Sequence, residues 1–303
     1  MEPEIITTDD DSTEYTDTRV ICLDPPSTIR MLAQSYEDTQ RNRIAVGNRI
    51  LAYERCLQYG SGASVKEIKD AKVTTAMIRK ISKKSPVRSL ADLHADYLTQ
   101  EAKIQRNMTL ALRTDPVWNA WLSYVKGAGP VLACKIGSHI RVSPSVRTLL
   151  DPMTGEITEV PAPYADTPSA LIRHAGYGVV DGKRERSAKG VRNPFNKHLK
   201  TALYLLGISF IRCQSPYTKV YYQAKERYQE QNATRPKAEQ RTKGHIHAMA
   251  RAKMVKLFLA HLWVICREVE GLPTRSPYVE EYLGHTHIIS PWDMVEIPQE
   301  QAA

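Results

Sequence analysis

Apolar residues recur three or four positions apart through most of the chain, the spacing that gathers them on one side of an α-helix. The first block predicts a helix over 27–57, packing through Leu32, Tyr36, Ile44, Ile50 and Leu51, with Pro25 and Pro26 at its entrance. A turn over 60–64 precedes a basic helical segment over 65–84, and a third helix over 90–113 can fold back as a long hairpin. The helix expected from Pro116 to Lys126 presents Val117, Trp118, Trp121, Leu122 and Val125. Gly127-Ala128-Gly129 then breaks the run before Ala133, Ile136 and Ile140 resume helical spacing.

Farther on, 143–165 is rich in Pro, Gly and polar residues and reads as a loop or small insertion. Thr167 and Pro168 offer a cap for the short helix in "SALIRHAGYG". Two long apolar surfaces follow, one through Leu199, Ala202, Leu203, Leu206, Ile208 and Ile211, the other through Met249, Met254, Leu257, Phe258, Leu262 and Ile265. The fold class expected is mostly all-α: helical arms followed by a compact helical domain containing a helix-hairpin-helix module. The divisions are an acidic disordered arm over 1–18, a helical or partly coiled-coil region over 19–114, the compact domain over 115–270, and an irregular tail over 271–303.

Charge sharpens this picture. The chain of 303 residues carries a formal net charge of +9, which favours a polyanionic partner and puts nucleic acid first. The charge is segregated: Glu2, Glu4, Asp9, Asp10, Asp11, Glu14 and Asp17 precede the first Arg or Lys, as in a solvated arm. Their adjacency does not resemble a metal cage, and the first half lacks a series of strands carrying the spaced carboxylates of a metal-dependent nuclease. No charge-free stretch reaches membrane-spanning length and no secretory signal opens the chain, so a cytoplasmic protein, nucleoid-associated if prokaryotic, is expected. Cys22, Cys56, Cys134, Cys213 and Cys266 are scattered, as reduced core or surface thiols are.

Two segments carry candidate chemistry. In "YVKGAGPVLACKIGSHI", Gly127 and Gly129 allow a sharp turn that can approach a duplex backbone, with Lys126, Lys135 and Arg141 extending the contact. The same spacing also suits a turn that merely joins two packed helices. Downstream, Lys183, Arg184, Arg186, Lys189, Arg192, Lys197 and Lys200 outnumber Asp181 and Glu185, a density suited to a salt-sensitive RNA or DNA backbone contact or to a solvated charged loop. His245 with His247 and His285 with His287 could ligate metal, with His261 or Cys266 as further donors, but no coordination sphere is completed and no metal site is assigned. Trp263, within an apolar run, is expected to pack rather than to stack on bases.

The blocks "KGAGPVLACKIGSHI", "LIRHAGYGVVDGKRERSAKG", "HLKTALYLLG" and "ARAKMVKLFLAHLW" resemble, in order and spacing, the carboxy-terminal region of RNA-guided insertion-sequence transposases and their Piv-like DNA invertase relatives. The resemblance covers about 117–270. It implies DNA as partner, a structured RNA beside it, and a homo-oligomer or separate nuclease; no cofactor is expected, and a divalent ion such as Mg2+ belongs only to an active recombinase. It also implies an amino-terminal RuvC-like acidic domain and a serine nucleophile near the basic block. The chain departs from both: the acidic pattern is not recognisable, and Asp181-Gly182 stands where a serine-glycine step is expected. Ser187 is the nearest alternative nucleophile. The expectation is therefore a DNA-binding transposase-like protein without the complete reaction centre. A divergent transposase or recombinase, or a structural protein-interaction module, are the alternatives.

Overall fold

A computed structural model describes residues 21–22, 27–59, 75–180, 182–191, 193–274 and 289–295. It is mostly helical, as expected. The acidic arm, the turn over 60–64, the first half (65–74) of the basic segment over 65–84, His285 and His287, Asp181 and Arg192 lie outside the described residues. Contacts divide the chain into two compact units, 28–111 and the remainder.

The first unit is built on α1 (Thr28–Tyr59), a single turn α2 (Thr75–Ile78) and α3 (Arg88–Leu112). On α1 the residues Ala33, Tyr36, Gln40, Arg43, Gly47 and Ile50 follow one another in alternating steps of three and four, the spacing of a coiled-coil seam. Their partners run antiparallel: the Tyr36 hydroxyl accepts from Gln105 Nε2 at 3.1 Å, Arg43 pairs with Glu101 at 2.5 Å, and Gly47 lies against the His94 ring. Ile44, expected to pack, is 49% exposed, whereas Ala33 and Val46 are buried. Val46, Ile50, Leu51, Ile78, Ile81, Val87 and Ala91 close one end of the hairpin as an apolar cluster. The Arg43–Glu101 pair fixes register, since a slipped seam would leave a buried charge without its partner.

In the second unit the organising element is α9 (Lys243–Val269), whose buried residues include Ile246, Ala250, Met254, Phe258, Leu262, Trp263 and Ile265. Around it pack α4 (Pro116–Ala120), α6 (Pro168–His174), α7 (Lys197–Cys213) and α8 (Thr218–Ala233), while α5 (Pro130–Gly137) packs on α7. Rings lock the centre: Phe258 stacks on Trp121 and meets Phe210 and Tyr217 edge-on, and Phe210 stacks on Tyr217 at 4.9 Å. Trp263 is packed as expected, its indole N–H donating to Ala165 O at 2.9 Å.

Three sequence expectations need correction. The helix expected to reach Lys126 stops at Ala120, and a 3-10 turn over Leu122–Tyr124 replaces its end, because Trp121 leaves helical geometry to bury its indole. Helix α5 ends at Gly137, so Ile140 lies beyond it and is only half-buried. The segment over 143–165, expected to be a loop or small insertion, contains a β-hairpin rather than a plain loop, β2 (Ser145–Leu150) with β3 (Ile157–Ala162), and β1 (Ile21–Cys22) pairs antiparallel with β2. Asp151 begins its turn and accepts from Met153 N–H, and Gly155 takes φ +72 near the end.

The tail is less irregular than expected. Ile289 to Val295 docks on the core: Trp121 donates its indole N–H to Pro291 O, and His261 Nε2 lies 2.9 Å from Ile289 O. A carbonyl only accepts, so Nε2 carries the proton; Nδ1 is then the acceptor for the buried Tyr217 hydroxyl at 2.8 Å. Burial pushes His261 down to about 4, partly opposed by the bond to Ile289. The unfolded chain takes up this proton near pH 6.5 while the folded chain resists until about 4. The stability from the neutral ring is therefore complete above 6.5 and is lost as pH falls toward 4, by about 3 kcal/mol. All four tryptophans lie outside 28–111, so their fluorescence reports on this unit alone. Urea unfolding followed by tryptophan emission should show a steeper loss of stability between pH 6.5 and 4 in the parent than in His261→Gln; parallel pH curves would contradict the assignment.

Candidate nucleic-acid interface

The turn at Gly127 to Gly129 is not symmetrical in its demands. Gly127 takes φ +97, and a Cβ there would meet Phe210 and Ser209 of α7 at 3.2 and 3.3 Å; its carbonyl accepts from the Ser209 hydroxyl at 2.8 Å. This glycine seats the turn on α7. Gly129 is the N-cap of α5 with φ −68 and nothing within 4 Å of a built Cβ. Lys126 and Arg141 are exposed. Lys135 is 7% exposed and lies on the buried side of α5 with Ala133, Cys134 and Ile136, which corrects its expected place at a phosphate surface. The turn meets α7 nine residues beyond Lys200, about 13 Å along the helix.

The basic block is more structured than a glycine-rich loop. Val179–Val180 (β4) pair with Lys183–Arg184 (β5) around a turn in which Gly182 takes φ +72. Just before it, α6 ends in a Schellman arrangement: Gly176 N–H donates to Arg173 O and Tyr177 N–H to Ile172 O. Gly176 takes φ +71, and a Cβ there would strike Phe195 and the Lys200 stem at 2.9 Å. On α7, a Cβ at Gly207 would come within 2.9 Å of Arg251 Cγ. Both glycines therefore make room for the stem of a cation.

The result is a band of cations interleaved with aromatic rings. Arg184 lies 5.2 Å from the Tyr177 ring centre, Lys200 Nζ 3.7 Å from Phe195, and Arg251 4.0 Å from Tyr204. Burial first, and the Arg184 guanidinium second, lower the proton affinity of both Lys200 and Lys256. Tyr177 is pushed up to about 12 by burial, against the pull of Arg184 and Arg251, so its phenol stays protonated. Burial and Arg251 also lower His247, whose Nδ1 is 2.8 Å from the Tyr221 hydroxyl. Glu185 is the acidic group that favours a charged Lys200, and Arg173 engages it at 3.2 Å.

Of the residues singled out from sequence, Arg184 and Lys200 meet in this band. Arg186, Ser187 and Lys189 are exposed beside it in sequence, Lys197 is exposed at the start of α7, and Lys183 joins through its backbone pairing with Val180. Arg251 and Lys256 were missed because they lie inside an apolar run that reads as packing alone. The signal available was that Arg251, Lys253 and Lys256 interrupt the apolar run with three cations in six residues. Among the described residues no group of three or more His, Cys, Asp or Glu could hold a metal ion, and no helix is long and apolar enough to cross a membrane. Cys56 and Cys213 are exposed, while burial pushes the Cys134 and Cys266 thiols up to about 12.

No protein-family model matches the chain, no curated protein matches it, and no solved structure matches it.

The two glycines of the turn should respond differently to alanine. Gly127→Ala places a side chain at positive φ and against Phe210, and should destabilise the unit by about 1–3 kcal/mol. Gly129→Ala should stay within about 0.5 kcal/mol of the parent. Chemical denaturation read by tryptophan emission measures both, and equal effects would contradict the separate roles.

Proposed function

We propose that the chain binds nucleic acid, gripping its phosphate backbone with the cation and aromatic band of the second unit. The observation that carries this reading is the convergence of Lys200 and Lys256 on Arg184: burial first, and the Arg184 guanidinium second, lower the proton affinity of both lysines, and a bound anion favours their charged forms. Tyr204, exposed beside Arg251, fits a strand carrying bases as well as phosphate. DNA is the preferred partner, and the ordered blocks that resemble insertion-sequence transposases favour a transposase-like protein that works beside a structured RNA. Ser187 stands exposed between Arg186 and Lys189, positions that suit a backbone-contacting loop.

Binding of labelled duplex DNA and structured RNA, followed by anisotropy across a salt series, tests the reading. The parent should lose affinity linearly on a log–log plot, and neutralising Lys200→Gln and Lys256→Gln should each flatten the slope by about one unit. Binding with no salt dependence, or the same slope in both variants, would count against the band as the contact surface.

A further inference from the structure

Along α7, Lys197, Lys200, Tyr204 and Gly207 follow one another in steps of three, four and three; Lys197 and Tyr204 are exposed, Lys200 is half-buried and Gly207 is buried. Tyr204 is the unusual member. The residue is 45% exposed although Arg251 lies 4.0 Å from its ring centre, so the guanidinium covers one part of the side chain while another part meets solvent. Gly207, one turn on, is what lets the Arg251 stem lie across α7, since a Cβ there would sit 2.9 Å from Arg251 Cγ. The ring is thus backed by a cation, held on a rigid helix, and placed one turn from Lys200, about 6 Å along the axis. That separation lies within the span between a nucleotide's phosphate and its base.

We infer that the band is built for an unpaired nucleotide, with phosphate held by Lys200, Lys256 and Arg184 and the base stacked on the Tyr204 ring. A duplex offers an aromatic side chain its phosphates, sugars and base edges, because its base faces are already occupied by neighbouring pairs. An unpaired strand can turn a base outward onto such a ring, and does so with little dependence on sequence. The arginine behind Tyr204 fixes the ring before the base arrives, so less ordering is needed on binding. Tyr177, 5% exposed, offers no comparable face and serves the phosphate side. This inference rests on the nucleic-acid reading above and narrows it to single-stranded DNA or RNA segments.

The test compares oligo-dT, oligo-U, an abasic strand of equal length and a duplex, each labelled and titrated with the full chain. Tyr204→Ala and Tyr204→Leu should weaken oligo-dT or oligo-U binding about tenfold and leave the abasic strand unchanged, and Tyr204→Phe should bind as the parent does. Whichever of oligo-dT and oligo-U shows the larger loss identifies the nucleic acid. Lys200→Gln, in contrast, should weaken all four ligands. Equal losses on the abasic strand, or full oligo-dT and oligo-U binding by Tyr204→Leu, would overturn the stacking role while leaving the phosphate contact in place. Failure of the parent to bind any of the four would overturn both readings. Far-UV circular dichroism of each variant confirms that the helices are retained.

Discussion

Helix α9 presents apolar residues on nearly every side over its second half, so it is stable only when other elements surround it. That requirement arranges the unit. Helices α4, α6, α7 and α8 cover it, and the 289–295 segment adds a cap whose carbonyls accept from Trp121 and His261. The tight fit has a polar consequence. Where α7 and the β4–β5 turn come together with α9, they bring the exposed Arg184 into one region with the half-buried Lys200, Arg251 and Lys256.

Packing of this kind stores electrostatic cost. Apolar burial is non-directional and can hold like charges together as long as the whole unit gains. The glycines are part of this arrangement. Gly176 and Gly207 admit the stems of Lys200 and Arg251, and Gly127 lets the α4–α5 turn rest on α7. The turn and the band therefore share a helix, and α7 sets their separation.

The helical character was legible because three-and-four spacing repeats over long runs, and tertiary packing reinforced it. Thr167 caps α6 by accepting from Ala170 N–H, as its position before Pro168 suggested. The β2–β3 hairpin was not legible because its strands are short and mostly exposed, so polar and apolar positions do not alternate cleanly. Its turn chemistry at Asp151 and Gly155 was the available signal. The docked 289–295 segment was hidden for another reason: it binds the core through backbone carbonyls, which every sequence carries. At the site, local charge density revealed Arg184 and Lys200 but could not reveal Lys256 or Arg251, which join them only through packing. The same local reading placed Lys135 at the surface, although α5 turns it inward.

The central claim is that packing forces these cations together and that a nucleic acid neutralises them. It is tested most directly by following the Lys256 side chain by NMR in selectively labelled protein, titrated with base alone and then with saturating oligonucleotide. The account predicts a proton affinity below that of an ordinary lysine in the free protein, rising once the strand is bound. A Lys256 that titrates as an ordinary lysine, or one whose titration is unmoved by bound oligonucleotide, would contradict it.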